Sequence, residues 1–413
     1  MTEFLELLTP DDAKKKIFES LNEIAFEKNI IFTKEALGYV FAKPIISPES
    51  IPSFERSTVD GYAVKSRDTY GASESLPAFL RVTGEIIMGK EAEISIDTGE
   101  AALIHTGGML PQGADSVVMI EFTDKAAEGE ISIYRPVGIN ENVVKMGEDV
   151  KNGDLVFEEG KKIRPGDIGG LMALGITQIE VYKKPIIGII STGDEVINPE
   201  HKIKLGQVRD INSYTLKALV EKIGAIPKIY GIVSDNREKL EKVLKQAHQE
   251  TDMLIVTAGS SASTRDLTSE VVQTLGKPGV LVHGINVRPG KPTILAVCDQ
   301  KPVVGLPGNP VSAFVIANLF VTPIIYKLMG ITNQVGIDTK PAVTTLNISS
   351  VSGREDWVPV KLVGKNELNQ ILVEPIFYKS NLIFSIIKAD GLIKIPEHLN
   401  GIPADSEVEL FLL

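Results

Sequence analysis

The chain is predicted to be a multi-domain α/β protein, with a central parallel-sheet α/β domain, an inserted mostly-β domain before it and a small β-barrel after it. Three observations predict this. Apolar runs alternate with helical segments from about residue 184 to 330, as expected of a parallel sheet covered on both faces. Short β-type runs separated by Gly and Pro fill residues 47–146. From about residue 338 helix signals stop and short strands continue to the end.

The elements follow in order. Thr9-Pro10-Asp11-Asp12 opens a helix expected over residues 10–30, with Thr9 as N-cap and Pro10 in the first turn. A second short helix is expected over 33–42, ending near Pro44. YAVKS, FLRVTGEI, AALIHTG, SVVMIEFT and EISIYRP are the strands of the insert. Residues 147–182 return to Gly-rich turns and one helix over 165–174, closed by Gly175. The expected units are therefore 1–46 with 147–182, an insert at 47–146, an α/β unit at 183–332 and a barrel at 333–413.

Within the α/β unit, strands are expected at 186–191, 228–234, 253–257 and across 293–308. Helices are expected at 212–223, capped by Asn212 or Ser213 and ended by Gly224, at 236–249 and at 268–275. An apolar stretch over 313–326 carries Asn318 and Pro323. It reads as a buried helix, too short to span a bilayer.

Composition narrows the function. Of 413 residues, 43% are hydrophobic and 23% charged, which is ordinary for a globular chain, and the formal net charge is -11. That balance argues against nucleic acid as a partner, since phosphate backbones need clustered Lys and Arg. Cys298 is the only cysteine, so neither an intrachain disulfide nor a cysteine-rich zinc site can form. His105, His201, His248, His283 and His398 are scattered without metal-ligand spacing. The start of the chain lacks signal-peptide character, so a cytoplasmic protein with no membrane contact is expected.

Several loops could carry chemistry, because ligands of open α/β sheets bind at the C-terminal strand ends. Ser191-Thr192-Gly193-Asp194-Glu195 offers a glycine turn with two carboxylates. The stretch from Thr257 to Asp266 is rich in small hydroxyl residues, which let backbone N–H groups approach a phosphate. Gly305-Leu306-Pro307-Gly308-Asn309-Pro310-Val311-Ser312 leads from a strand into the apolar helix, whose first N–H groups would face an anion. Val287-Arg288-Pro289-Gly290-Lys291-Pro292 places two cations in a stiff segment. In the insert, Asp60 and the His105-Thr106-Gly107-Gly108 turn stand beside strands. Taken singly, each also reads as an ordinary solvated turn, most readily the two in the insert and least readily the Arg288–Lys291 segment.

Together the motifs are more specific. In order they read S-T-x-D-G-Y-A-V, H-T-G-x-x-x-P-x-G-A-D-x-V-V-M-x-E, S-T-G-D-E, D-x-N, R-P-G-K-P and G-L-P-G-N-P-V-S. This set resembles the molybdopterin molybdenumtransferase (MoeA) family, to which the gephyrin E domain is also similar, and it runs along essentially the whole chain. The resemblance implies an elongated homodimer with a central α/β domain of the MoaB/MogA type. It implies insertion of molybdenum from the substrate molybdate into adenylylated molybdopterin, with release of AMP and a need for Mg²⁺. A transient contact with the molybdopterin adenylyltransferase is also implied.

The same resemblance assigns roles. Asp60 and Thr106 would reach a partner's active cleft. Glu195, Asp235 and Asp266 would be active-site acids and metal ligands. Ser261, Ser263, Arg288, Lys291, Pro292, Gly308, Asn309 and Ser312 would bind substrate and anion, completed by Arg354 and Ser380 from the C-terminal domain. The chain departs from the usual pattern where Ser and Ala replace two glycines of the 258–266 loop, where Arg288 replaces a lysine, and where Lys379 precedes Ser380 in place of glycine. Two alternatives stay open: a molybdopterin carrier or scaffold without turnover, and an enzyme of the adenylyltransferase type. Molybdate and tungstate, both tetrahedral dianions, are not distinguished.

Overall fold

The structure, a computed structural model, describes residues 7–22, 26–258, 262–332, 339–377 and 379–413, with the side chains of 262–265 outside the description. The first helix runs over Pro10–Ser20, capped by the Thr9 hydroxyl, which accepts from the Asp12 N–H at 3.1 Å. It buries Ala13 and Ile17 in the main core. It does not continue to residue 30. Lys28–Phe32 is a strand, paired antiparallel with Gln178–Tyr182, and Val40–Phe41 pairs on the other side of that strand. The second expected helix shrinks to one 3-10 turn over Thr33–Glu35. The β-branched pair Ile30-Ile31 finds partners at Glu180 and Ile179, and this distant pairing outweighs local helix propensity.

The insert is a six-stranded sheet in the order Ser116–Met119, Gly61–Val64, Glu100–Ile104, Ala78–Glu85, Glu130–Ile133, Thr123–Ala127. Val64, Leu80, Ala101, Val118, Ile131 and Ile133 pack on one another as its core.

The central sheet has the order Ile226–Val233, Ile186–Thr192, Met253–Ala258, Lys301–Pro307, Ile294–Cys298, Pro278–His283. The first four strands are parallel, and the last two are antiparallel. The expected parallel sheet is thus parallel only in part, and the edge strand Pro278–His283 was not foreseen. The reason is local. Only Asp299 and Gln300 join Ile294–Cys298 to Lys301–Pro307, and both have left-handed φ, at 48° and 64°. Two such residues make a tight hairpin, whereas a parallel crossover needs a dozen or more.

Helices Asn212–Ile223, Arg237–Glu250 and Ala262–Gln273 cover the sheet. Pro310–Leu328 is long and apolar enough by composition to cross a membrane, longer than the sequence suggested, but most of it is buried inside the protein. Phe320, Val315 and Ile324 are fully covered there. The stretch is not a uniform α-helix. Pro310–Ile316 and Thr322–Leu328 flank a π segment at Ala317–Val321. Pro323 lacks an N–H and crowds the carbonyl four residues earlier, which favours the wider turn.

In the C-terminal region, Glu355–Lys365, Ile371–Pro375, Thr339–Thr344, Glu407–Leu412 and Gly391–Ile395 pair in turn, and the last pairs back to the first. The result is a closed five-stranded barrel around Val360, Val373, Ile393, Ile395 and Leu410. Val287–Arg288 adds to the start of Glu355–Lys365 and so ties the α/β domain to the barrel.

Candidate active site

The C-terminal ends of Ile186–Thr192, Met253–Ala258 and Lys301–Pro307 open into a cleft of about 570 Å³. Hydroxyls join its floor. Thr257 Oγ1 donates to Ser191 Oγ at 3.2 Å, and Thr192 Oγ1 donates to the Thr257 carbonyl at 3.2 Å. Glu195 lines the wall. Its carboxylate folds back over Gly193, where an added Cβ would lie 2.9 Å from Glu195 Oε2. Gly193 has φ of 139°, so a glycine is needed there for both conformation and space.

The D-x-N segment builds the next wall. Asp210 is buried, and its Oδ1 accepts from the Ser213 N–H at 3.1 Å. Asp210 therefore caps the helix Asn212–Ile223, in place of the expected Asn212 or Ser213. The Asn212 side chain is then available to donate, through Nδ2, to the Gly308 carbonyl at 2.9 Å. Gly308 and Asn309 line the same cleft. Asn309 Nδ2 donates to Ser380 Oγ at 3.2 Å, which brings a residue of the C-terminal region to the cleft mouth. The Val311 N–H donates to the Ser380 carbonyl at 3.1 Å. One of the N–H groups expected to face a ligand, that of Val311, is therefore already used. Ser312 is buried in the helix.

The other expected residues sit differently. The Asp235 N–H donates to Asp194 Oδ1 at 3.2 Å, so the turn after Val233 is tied to the Glu195 loop. Asp266 lies on the exposed face of the helix Ala262–Gln273, not in a loop, because that helix starts earlier than expected. Ser261 lies outside the described residues, and so does the side chain of Ser263. Lys291 is exposed and Pro292 half-buried. Between them and Arg288, Gly290 presses on the apolar helix. Its φ is 117°, and an added Cβ would lie 2.3 Å from Ile316 Cγ1.

Arg288 and Arg354 meet outside the main cleft. Arg288 Nη1 donates to Asp356 Oδ2 at 3.4 Å, and Arg354 Nε donates to Asp356 Oδ1 at 3.0 Å. Arg288 and Asp356 also line a smaller cavity of about 150 Å³ with Trp357 and Phe377. In the insert, the Thr106 N–H and Oγ1 donate to Asp60 Oδ1 at 2.8 and 3.2 Å. The N–H of Thr106, more than its hydroxyl or the neighbouring His105, holds the Asp60 carboxyl below the usual carboxylate range. His105 spans two acids, with Nδ1 3.6 Å from Asp60 Oδ1 and Nε2 3.0 Å from Glu85 Oε1. Among the described residues, none from the insert lines the cleft of its own chain.

Among the described residues, no three of His, Cys, Asp or Glu stand together to hold a metal. Among the described residues, protein acids alone therefore form no cation cage. Glu195 at the cleft wall fits a different arrangement, in which one carboxylate, substrate oxygens and water share the ion, as Mg²⁺ prefers.

Sequence reading missed Arg209 and Asn381, which line the cleft, and the separate tasks of Asp210 and Asn212. The D-x-N motif was a signal for the last two. Nothing local marks Asn381 or Asp356, whose positions depend on how the C-terminal region docks.

Residues 8–175 match the MoeA N-terminal region (domains I and II), 188–327 a probable molybdopterin binding domain, and 341–413 the MoeA C-terminal region (domain IV). A protein of Methanocaldococcus jannaschii whose name places it in molybdopterin biosynthesis is 40% identical over 98% of both chains. The molybdopterin molybdenumtransferase of Haemophilus influenzae is 32% identical over 98% of both. The crystal structure of the molybdopterin biosynthesis MoeA protein of Pyrococcus horikoshii superposes with a TM-score of 0.81 at 35% identity, covering 98% of this chain and 99% of that one.

Proposed function

Because the chain belongs to the MoeA family, we propose that it inserts molybdenum from molybdate into adenylylated molybdopterin, releasing AMP and the finished cofactor. At the coarser level it is a transferase of the molybdopterin molybdenumtransferase type, acting in molybdenum cofactor biosynthesis. The observation that supports the finer reading is the cleft itself. Hydroxyls of Thr192 and Thr257, the Asn212-tethered Gly308-Asn309 turn and the Glu195 carboxylate converge at the strand ends.

Each group has a task in this reading. The Thr192 and Thr257 hydroxyls, whose protons are held by the Thr257 carbonyl and Ser191 Oγ, fix the floor, and nearby backbone amides receive the pyrophosphate of the adenylylated pterin. Asn212 and Ser380 keep the 308–309 turn in place, so the substrate meets a fixed surface. Glu195 would repel phosphate directly, so its place at the wall makes sense with a cation between them. Mg²⁺, when bound, would neutralise charge on the phosphate that leaves. Glu195 is its first candidate ligand, with Asp235 and Asp266 as further acids. Arg288, Lys291 and Arg354, with Pro292 and Ser312 shaping the pocket beside them, would receive the molybdate dianion. Asp60 and Thr106, locked together on the insert, would enter the cleft of a second copy, which makes the working unit a homodimer. The setting is cytoplasmic, and the substrate is received from the adenylyltransferase in a transient contact.

The test is an incubation of the purified protein with adenylylated molybdopterin, Mg²⁺ and increasing molybdate. AMP release that rises and saturates with molybdate is expected. If no AMP appears at any molybdate concentration, the reading fails.

A further inference from the structure

We infer that Asp356 is a positioning residue, which fixes the separation and direction of the Arg288 and Arg354 guanidiniums for a tetrahedral oxyanion. The inference rests on the reading that these two arginines receive molybdate.

Three donors meet on this carboxylate. Arg288 Nη1 reaches Oδ2 at 3.4 Å, Arg354 Nε reaches Oδ1 at 3.0 Å, and Ser350 Oγ reaches Oδ2 at 2.8 Å. The pairing with Arg288 is built into the backbone. Arg288 and Asp356 are direct partners across the short parallel pair that joins the α/β domain to the barrel. Arg354 lies two residues before Asp356 on the same segment. One buried acid therefore gathers two cations from two different parts of the fold.

The exposures show what this arrangement is suited to. The Asp356 side chain is 5% exposed, whereas Arg288 is 54% and Arg354 34% exposed. The acid is sealed, and both guanidiniums keep an outward side. Each guanidinium carries five N–H donors, so the bond to Asp356 leaves most of them for a ligand. Without the acid, two adjacent cations would repel and swing apart. With it, the cluster keeps one net positive charge and a set geometry. The neighbouring cavity of about 150 Å³ has Trp357 and Phe377 in its walls. Stability alone is a poor account of the cluster, because a buried ion pair is often no better than well-packed apolar residues.

The test compares Asp356→Asn with the parent chain in the AMP-release assay at varied molybdate. Loss of the charge that aligns the arginines should raise KM for molybdate by about tenfold or more, the scale of a lost charge-assisted hydrogen bond. The value of kcat at saturating molybdate should change little. Asp356→Glu, which keeps the charge, should recover part of the affinity. A fall in kcat with KM unchanged would mean that Asp356 only supports the fold, and would overturn the inference. Arg288→Ala and Arg354→Ala serve as the control on the premise. If they leave KM for molybdate unchanged, the arginines do not receive the anion, and the inference falls with that reading. If they raise KM while Asp356→Asn does not, only the inference falls. Should Asp356→Asn fail to fold, Ser350→Ala takes its place. It removes one donor to the same carboxylate and should still raise KM, and an unchanged KM there also overturns the inference.

Discussion

Asn212 Nδ2 donates to the Gly308 carbonyl at 2.9 Å, across 96 residues of sequence. This bond ties the start of one sheet-covering helix to the turn that opens the apolar helix. Both ends of the tie line the cleft, so it sets the width of the site. Asn212→Ala should cost about 0.5–1.5 kcal/mol of stability, the usual worth of such a bond. It should also lower kcat/KM for adenylylated molybdopterin. Asn212→Asp should be worse than Ala, because a carboxylate would then face a carbonyl. Urea unfolding and steady-state kinetics on the two variants check the order, and an Asp variant as active as the parent would contradict it.

Gly290 is the point where the Arg288–Lys291 segment meets the core. Its φ of 117° and the 2.3 Å gap between an added Cβ and Ile316 Cγ1 act together. Gly290→Ala should destabilise the protein by about 2–6 kcal/mol, the sum of backbone strain and overpacking. The measurement is the denaturant midpoint. A loss below about half a kcal/mol, typical of an ordinary surface change, would show that the segment shifts without cost.

Tyr182 gives a prediction in pH. Its hydroxyl donates to Glu159, and burial first, then that acid, pushes its pKa from 10.0 up to about 12. The folded value is raised above the unfolded one. The stabilising contribution is therefore whole below about pH 10 and is lost as pH rises through about 12. Tyr182→Phe should be less stable than the parent at pH 8 by about 1 kcal/mol. The gap should close at high pH. Melting temperatures of both proteins from pH 8 to 11.5 test this, and a gap that widens with pH would reverse the argument.

Glu195 gives a prediction about the metal. Chelation should stop AMP release, and Mg²⁺ should restore it. Glu195→Gln keeps the shape of the side chain but removes its charge. The Mg²⁺ concentration for half-maximal rate should then rise by about tenfold or more, at least the effect of losing a group that only supports a metal ligand. An unchanged Mg²⁺ requirement would place the ion elsewhere.

Much of the fold could be read from the chain, because its signals are local. Alternating apolar runs marked the central strands, Thr9 marked its own helix start, and Gly224, with φ of 107°, closed the helix that it was expected to close. The failures have two causes. Residues 28–32 and 33–42 carry no local sign that Gln178–Tyr182 will pair with them. The antiparallel edge followed from two left-handed residues, Asp299 and Gln300, neither of which is a glycine.

At the site the division is sharper. The sequence by itself determined the chemistry available: hydroxyls and acids at strand ends, a Gly-Asn-Pro turn, and the Arg288 and Lys291 cations of one characteristic motif. It could do so because these residues act through their own side chains and their immediate neighbours. Only the tertiary structure decided which of them meet. It made Asp210 the helix cap and turned Asn212 toward Gly308. It docked Ser380 on Asn309 and set Arg288 and Arg354 on a single buried Asp356. It kept Asp60 and Thr106 together on the insert. Apart from the local contacts of Asp210 with Ser213 and Arg354 with Asp356, those pairings join residues 46 to 96 positions apart, and their partners are chosen by sheet register and domain docking, which no short stretch of sequence contains.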